Sequence, residues 1–101
     1  MSTLDITLEF SGGAELLAGK QKKHEISIPA ELNNAFTIGS LIPWIAANIL
    51  TQKEELFVQN GTVRPGILVL VNDTDWELLD TSNYKIQPKD RITFISTLHG
   101  G

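Results

Sequence analysis

Cysteine is absent from all 101 residues of the chain. Its absence excludes a disulfide framework, a thiolate nucleophile, a side-chain persulfide and a thiolate metal site. Basic residues are also few, since 8 Lys and Arg stand against 12 Asp and Glu and the net charge is −4. Because neutralisation of phosphates supplies most of the non-specific affinity for nucleic acid, we expect no direct binding to DNA or RNA.

Long apolar runs are lacking too, and the apolar stretches that occur are far too short to span a bilayer. Residues 1–5 alternate like a strand and lack the basic segment of a signal peptide. We therefore expect a monomeric, cytoplasmic protein that makes no contact with a membrane. At this length, one domain with a modest core is expected.

The sequence does contain two regular alternations of apolar and polar residues, each of which predicts a half-buried strand. The apolar positions of the first are Leu4, Ile6, Leu8 and Phe10. The second runs through His24, Ile26 and Ile28 and stops at Pro29. Because the glycine-rich segment at residues 11–13 separates two strands that are close in sequence, we predict an antiparallel hairpin.

An apolar stripe with helical spacing follows. Its members are Ile38, Leu41, Ile42, Ile45, Ala46 and Ile49. Thr37 is the first candidate for the N-cap. Pro43 complicates this prediction, because a proline inside a helix removes a backbone hydrogen bond and clashes with the preceding turn. The helix is therefore expected either to begin late, near Ser40, or to have an irregular first turn.

The second half of the chain predicts further strands. Residues 67–71 are apolar at every position, which favours a central strand that is covered on both faces. Residues 76–79 are interpreted as a short return strand and residues 91–98 as the last strand, while Asn60-Gly61 marks a turn. The predicted core is Leu4, Ile6, Leu8, Ile26, Ile28, Leu41, Ile42, Ile45, Ile49, Leu68, Leu70, Ile92 and Phe94.

One amphipathic helix and a mixed sheet of four or five strands make a two-layer α+β domain. The order of these elements and the Gly-Gly end at residues 100–101 resemble the β-grasp of ubiquitin-like proteins, in which one main helix covers the sheet. We expect a β-grasp domain over residues 1–97 and a flexible C-terminal tail over residues 98–101.

Four sequence blocks make the resemblance specific, and together they extend over nearly the whole chain. They are Phe10-x-Gly-Gly, Arg64-Pro65-Gly66-Ile67, Asn72-Asp73-Thr74-Asp75-Trp76-Glu77-Leu78 and Ser96-Thr97-Leu98-His99-Gly100-Gly101. In these blocks the chain resembles the ubiquitin-related modifier family, which serves eukaryotic tRNA thiolation.

The resemblance implies a sulfur carrier that is a protein substrate and not an enzyme. An activating enzyme of the ubiquitin-activating type would adenylate the terminal glycine carboxylate with ATP and magnesium, and the chain itself would bind no cofactor. A persulfide on the rhodanese-like domain of that enzyme would convert the adenylate to a thiocarboxylate. A tRNA thiolase complex would pass the sulfur to the wobble uridine. The same activated terminus would also become joined to lysines of target proteins, a modification associated with oxidative stress.

The resemblance places the chemistry at the end of the chain, where Gly101 would carry the reactive carboxylate. Recognition of the tail by partners is expected of the four residues before it, Thr97, Leu98, His99 and Gly100. Glycine suits a narrow channel because it has no Cβ atom. We also expect partner contacts at Arg64, which lies beside turns and should be exposed, and at Trp44, which lies off the apolar stripe. No metal site is expected.

Two alternatives remain open from the sequence. One is a prokaryotic-type sulfur carrier for molybdopterin or thiamine synthesis, which has the same fold and a Gly-Gly end. The other is a ubiquitin-like binding module whose tail is never activated. In the favoured interpretation, the folded domain docks on the activating enzyme through an exposed sheet face while the tail alone enters the adenylation site.

Overall fold

The computed structural model describes residues 2–30 and 36–96. The main elements are β1 (Ser2–Ser11), β2 (Lys23–Ala30), α1 (Ile38–Asn48), β3 (Val58–Gln59), β4 (Thr62–Val63), β5 (Ile67–Val71), β6 (Thr74–Asp75) and β7 (Arg91–Ser96). Short 3-10 turns span Ala14–Ala18, Glu54–Leu56, Trp76–Leu78 and Thr81–Asn83. Within the described residues, no helix is both long enough and apolar enough to cross a bilayer.

The main sheet has five strands in the order β2-β1-β7-β5-β6, and β3 and β4 form a separate hairpin. β1 pairs antiparallel with β2 and parallel with β7, whereas β5 pairs antiparallel with both β7 and β6. The predicted hairpin and the predicted mixed sheet under one main helix are therefore confirmed. The central strand is β7. The prediction that residues 67–71 form the central strand is wrong. These residues form β5, which lies next to the edge of the sheet, and its outer neighbour is the two-residue edge strand β6.

α1 begins directly after Thr37, which confirms that residue as the N-cap. The Thr37 hydroxyl accepts a hydrogen bond from the Ser40 N–H at 3.2 Å, and the Ile38 N–H donates to the carbonyl of Tyr84 at 3.1 Å. The expectation of a late start near Ser40 is not met, because these contacts satisfy N–H groups that the first turn leaves free. Pro43 lies inside the helix and removes one N–H from its second turn.

The core lies between α1 and one face of the sheet. Three aromatic rings meet at its centre, since Phe94 lies 5.5 Å from Phe10 and 5.1 Å from Phe57, measured between ring centroids. All three are fully buried. Phe57 directly precedes β3. The Asn60-Gly61 turn between β3 and β4 has positive φ at both residues, as a two-residue hairpin loop of type I′ requires.

The predicted core is wrong about the side of β5 that faces inward. The buried side chains of β5 are Ile67, Val69 and Val71, while Leu68 is 38% exposed and Leu70 is half-buried. A run that is apolar at every position carries no alternation, so it does not reveal which face is covered. The predicted core residues Leu4, Ile26 and Ile49 are half-buried and pack against the core, and the other eight are buried.

The predicted return strand at residues 76–79 is also wrong. The strand is Thr74–Asp75, and the chain then forms the 3-10 turn Trp76–Leu78. The cause is local, because the Asp75 carboxylate accepts a hydrogen bond from the Glu77 N–H at 2.9 Å. This side-chain cap stabilises a helical turn in place of an extended pair.

Candidate functional site

The predicted reactive end of the chain lies outside the described residues. This applies to Thr97, Leu98, His99, Gly100 and Gly101, and so to the predicted boundary between domain and tail. The last described residue before this segment is Ser96, at the end of β7.

Pairing on both sides holds the end of β7. Ile95 lies opposite Ser11 of β1 and opposite Leu68 of β5, and Ser96 lies opposite Ile67 of β5. Because β7 is the central strand, its last residues have a neighbouring strand at each edge. The sheet itself therefore defines the position of Ser96, the last described residue.

An apolar patch lies beside this exit, on the sheet face opposite the core. We use the term open-face patch for Leu68, Leu70 and Ile95. Leu68 and Ile95 are directly opposite each other on paired strands, so their side chains share a face. Leu68 is exposed, and the other two are half-buried. The sequence pattern missed this patch because it assigned Leu68 and Leu70 to the core.

A charged network borders the open-face patch. The Arg91 guanidinium contacts the carboxylates of Asp73 and Glu9, and the Thr93 hydroxyl donates a hydrogen bond to the same Glu9 at 3.2 Å. The hydrogen bond to Asp73 and the charge of Asp73 raise the pKa of Arg91 further above its usual range. Exposed ion pairs of this kind add little to stability. Their effect is to orient the charges beside the patch.

A buried carboxylate anchors the other end of β7. Asp90 is 5% exposed and accepts hydrogen bonds from the Asn72 amide at 2.9 Å, the Tyr84 hydroxyl at 2.7 Å and the Gln87 N–H at 2.8 Å. Burial, followed by the hydrogen bond to Asp90 and its charge, raises the pKa of Tyr84 to about 12. Sequence reasoning missed Asp90, because an aspartate in a polar turn gives no signal of burial.

The two predicted docking residues lie in different places. Arg64 is half-buried, so the prediction that it is exposed is wrong. Its N–H donates to the Phe57 carbonyl at 2.8 Å, and its own carbonyl accepts from the N–H of Ile67, the residue that pairs with Ser96. Main-chain bonds on both sides hold Arg64 against the fold, near the end of β7. Trp44 is half-buried on α1 and packs against the core, in the layer opposite the open-face patch.

Two polar side chains outside these networks have local partners. In residues 2–30 and 36–96, no group of three or more His, Asp or Glu side chains could hold a metal ion. A shallow groove over β1 and β2 contains Ser27, but its hydroxyl donates to Asp5. His24 bonds the carbonyl of Gln21 instead of activating a nucleophile.

Comparisons with known proteins agree with this architecture. The family model described as Urm1 (Ubiquitin related modifier) matches residues 5–101. A ubiquitin-related modifier 1 homolog of Drosophila simulans is 58% identical over 98 residues, which cover 97% of this chain and 95% of the relative. Ubiquitin-related modifier 1 of Bos taurus is 52% identical over 98 residues, with 97% and 96% covered.

A solved structure extends the agreement to the fold. The solution structure of Urm1 from Trypanosoma brucei superimposes with a TM-score of 0.81 at 38% identity, and the comparison covers 100% of both chains. The β-grasp, ubiquitin-like fold predicted from the sequence is thereby confirmed. The chain belongs to the Urm1, or ubiquitin-related modifier, family of ubiquitin-like carrier proteins.

Proposed function

We propose that this chain is a sulfur carrier that reacts through the main-chain carboxylate of Gly101. The observation that carries the proposal is the extent of the family match, which runs through residue 101 and so includes the Gly-Gly segment. The sheet supports it, because β7 delivers the chain to that segment from a position held at both edges. The absence of cysteine also supports it, since no thiol side chain is present to hold a transferable sulfur.

The chemistry begins with activation by an enzyme of the ubiquitin-activating type. A terminal carboxylate has a pKa of about 3.3–3.7, so it is ionised at neutral pH and is a poor electrophile. Its attack on the α-phosphorus of ATP, bound with magnesium by the activating enzyme, expels pyrophosphate and forms an acyl-adenylate. A persulfide on the rhodanese-like domain of that enzyme then attacks the acyl carbon and expels AMP, which gives an acyl disulfide with the enzyme. A second thiol of the enzyme cleaves the S–S bond, which releases the thiocarboxylate and leaves a disulfide on the enzyme.

The proposed destination of the sulfur is the wobble uridine of tRNA, which a separate tRNA thiolase complex 2-thiolates in the cytoplasm. The acidic composition of the chain suits a carrier that leaves RNA binding to this partner. The same activated carboxylate can acylate a lysine amine. We therefore propose conjugation to target proteins as a second outcome of a single activation step.

The open-face patch is the surface that we propose docks on the activating enzyme. It adjoins the exit of β7, since Ile95 of the patch directly precedes Ser96. A partner that covers Leu68 and Ile95 would therefore also lie next to the start of the segment that has to reach its active site. We propose Arg64, in the turn that leads into β5, as a further contact with the same partner, whereas a contact at Trp44 would lie on the helix side.

Mass spectrometry of the intact protein isolated from its own cells tests the proposal. A fraction in which one C-terminal oxygen is replaced by sulfur, located on the last peptide by fragmentation, is the expected result. Isolation without alkylating reagents, which react with the nucleophilic sulfur, preserves the thioacid. A plain carboxylate in every preparation would contradict the carrier function and favour a binding module that is never activated.

A further inference from the structure

Gly12 touches the main chain at the exit of β7. It follows the last residue of β1 and has a φ of +66°. A Cβ atom added at Gly12 would lie 2.3 Å from the carbonyl oxygen of Ser96, and 3.2 Å from both the Ser96 nitrogen and the Ile95 side chain. Two features therefore exclude an ordinary side chain, namely the left-handed conformation and the contact with Ser96.

The contact and the conformation can be separated by comparison with other glycines. Gly61, in the β3–β4 turn, has a φ of +82° but no atom within 4 Å of its would-be Cβ. Gly13 has a φ of +109° and is equally open. Replacing either of these introduces backbone strain alone. Replacing Gly12 introduces the same kind of strain together with a collision against a main-chain oxygen.

A side-chain hydrogen bond stabilises the turn that contains Gly12. The Gly13 N–H donates a hydrogen bond to the Glu15 carboxylate at 2.9 Å. The N–H groups of Glu15 and Gly13 hold the pKa of this carboxyl below its usual value. This hydrogen bond lies within the turn that places Gly12 beside Ser96 on the side of β1, while Ile67 pairs with Ser96 from the side of β5.

We infer that Gly12 is a positioning residue, which sets the position of Ser96, from which the chain continues to Gly101, and so the reach of the Gly101 carboxylate. The inference rests on the proposed function. Ordinary contact begins at 3.4 Å, so a Cβ at Gly12 requires Ser96 or the turn to move by about 1 Å. A displacement of about 1 Å can cost a reaction up to about 100-fold when reacting atoms must approach within about 3–3.5 Å.

The test compares Gly12→Ala with Gly61→Ala in ATP–pyrophosphate exchange by the activating enzyme, using the full chain. Both variants have a methyl group at positive φ, and only the first collides with Ser96. Gly12→Ala should lower kcat about tenfold or more and change KM for the carrier less, because Ile95 is the one patch residue among the nearest neighbours of the added methyl group. Gly61→Ala should change neither. Equal kinetics for the two variants, or a loss confined to KM, would overturn the inference.

Amide chemical shifts of Ile95 and Ser96 give a readout that is independent of activity. They should move in Gly12→Ala and stay in place in Gly61→Ala. Unmoved shifts in Gly12→Ala would show that the turn accommodates the methyl group and would overturn the inference.

If Gly12→Ala does not fold, Glu15→Ala is the deciding variant, since it removes the hydrogen bond within the turn without adding an atom. It should lower kcat about threefold at unchanged KM, and an unchanged kcat would overturn the inference. Absence of exchange by the wild-type chain would instead contradict the proposed function, and the chemical shifts would still test the contact.

Discussion

Leu68→Ala tests whether the open-face patch docks on the activating enzyme. Burying a whole leucine side chain contributes about 1.5–3 kcal/mol, and the 38% of Leu68 that is exposed corresponds to about 0.6–1.1 kcal/mol. A partner that covers Leu68 completely should therefore bind the variant about three- to sevenfold more weakly. The part of the side chain that already packs within the sheet implies a loss of about 1–2 kcal/mol in the free energy of unfolding.

Isothermal titration calorimetry of the activating enzyme with the wild-type and variant chains measures the loss of binding affinity. Leu56→Ala is the matched control, because Leu56 is also 38% exposed but lies in the 3-10 turn next to β3. The control should leave Kd unchanged. An unchanged Kd for Leu68→Ala, or an equal loss in both variants, would refute the assignment of the docking surface to this face.

Two further predictions concern the fold. Ile45→Ala should lower the free energy of unfolding by about 2–5 kcal/mol, because Ile45 is fully buried. Ile49→Ala should lower it by less, because Ile49 is half-buried. Equal losses of the two variants in urea denaturation would show that the assignment of the buried face of α1 is wrong. Tyr84 has its pKa raised from 10.0 to about 12, so its stabilising contribution is complete below pH 10 and is lost as pH rises towards 12. Between pH 10 and 12 the stability of Tyr84→Phe should therefore fall less than that of the wild-type chain. Parallel profiles of unfolding free energy from pH 8 to 12 would contradict this role of Tyr84.

Three elements that the sequence predicted correctly, β1, β2 and α1, each have a one-sided pattern. β1 and β2 alternate because only one face of each is covered, and α1 shows a stripe because only one side packs on the sheet. Thr37 was identifiable as the N-cap because a hydroxyl directly before an apolar helix satisfies a free N–H. In each case the burial pattern is periodic, so the sequence alone reveals it.

The features that the sequence could not reveal depend on partners distant along the chain. Residues 67–71 are uniformly apolar, so only the pairing with β7 decides that Leu68 faces outward. Asp90 is buried because Asn72 and Tyr84 converge on it. Gly12 is identifiable as a turn residue, but its contact with Ser96 joins positions more than 80 residues apart. None of these contacts leaves a local pattern.

ATP–pyrophosphate exchange by chains of altered length tests most directly the claim that Gly101 carries the reacting group. One residue spans at most about 3.3–3.6 Å, which is as large as the approach distance of about 3–3.5 Å that the reaction needs. Deleting Gly101, or adding one residue after it, should therefore abolish exchange and leave the thermal melt unchanged. Normal exchange by either chain would contradict the account, because the carboxylate would then not be placed by its distance from β7.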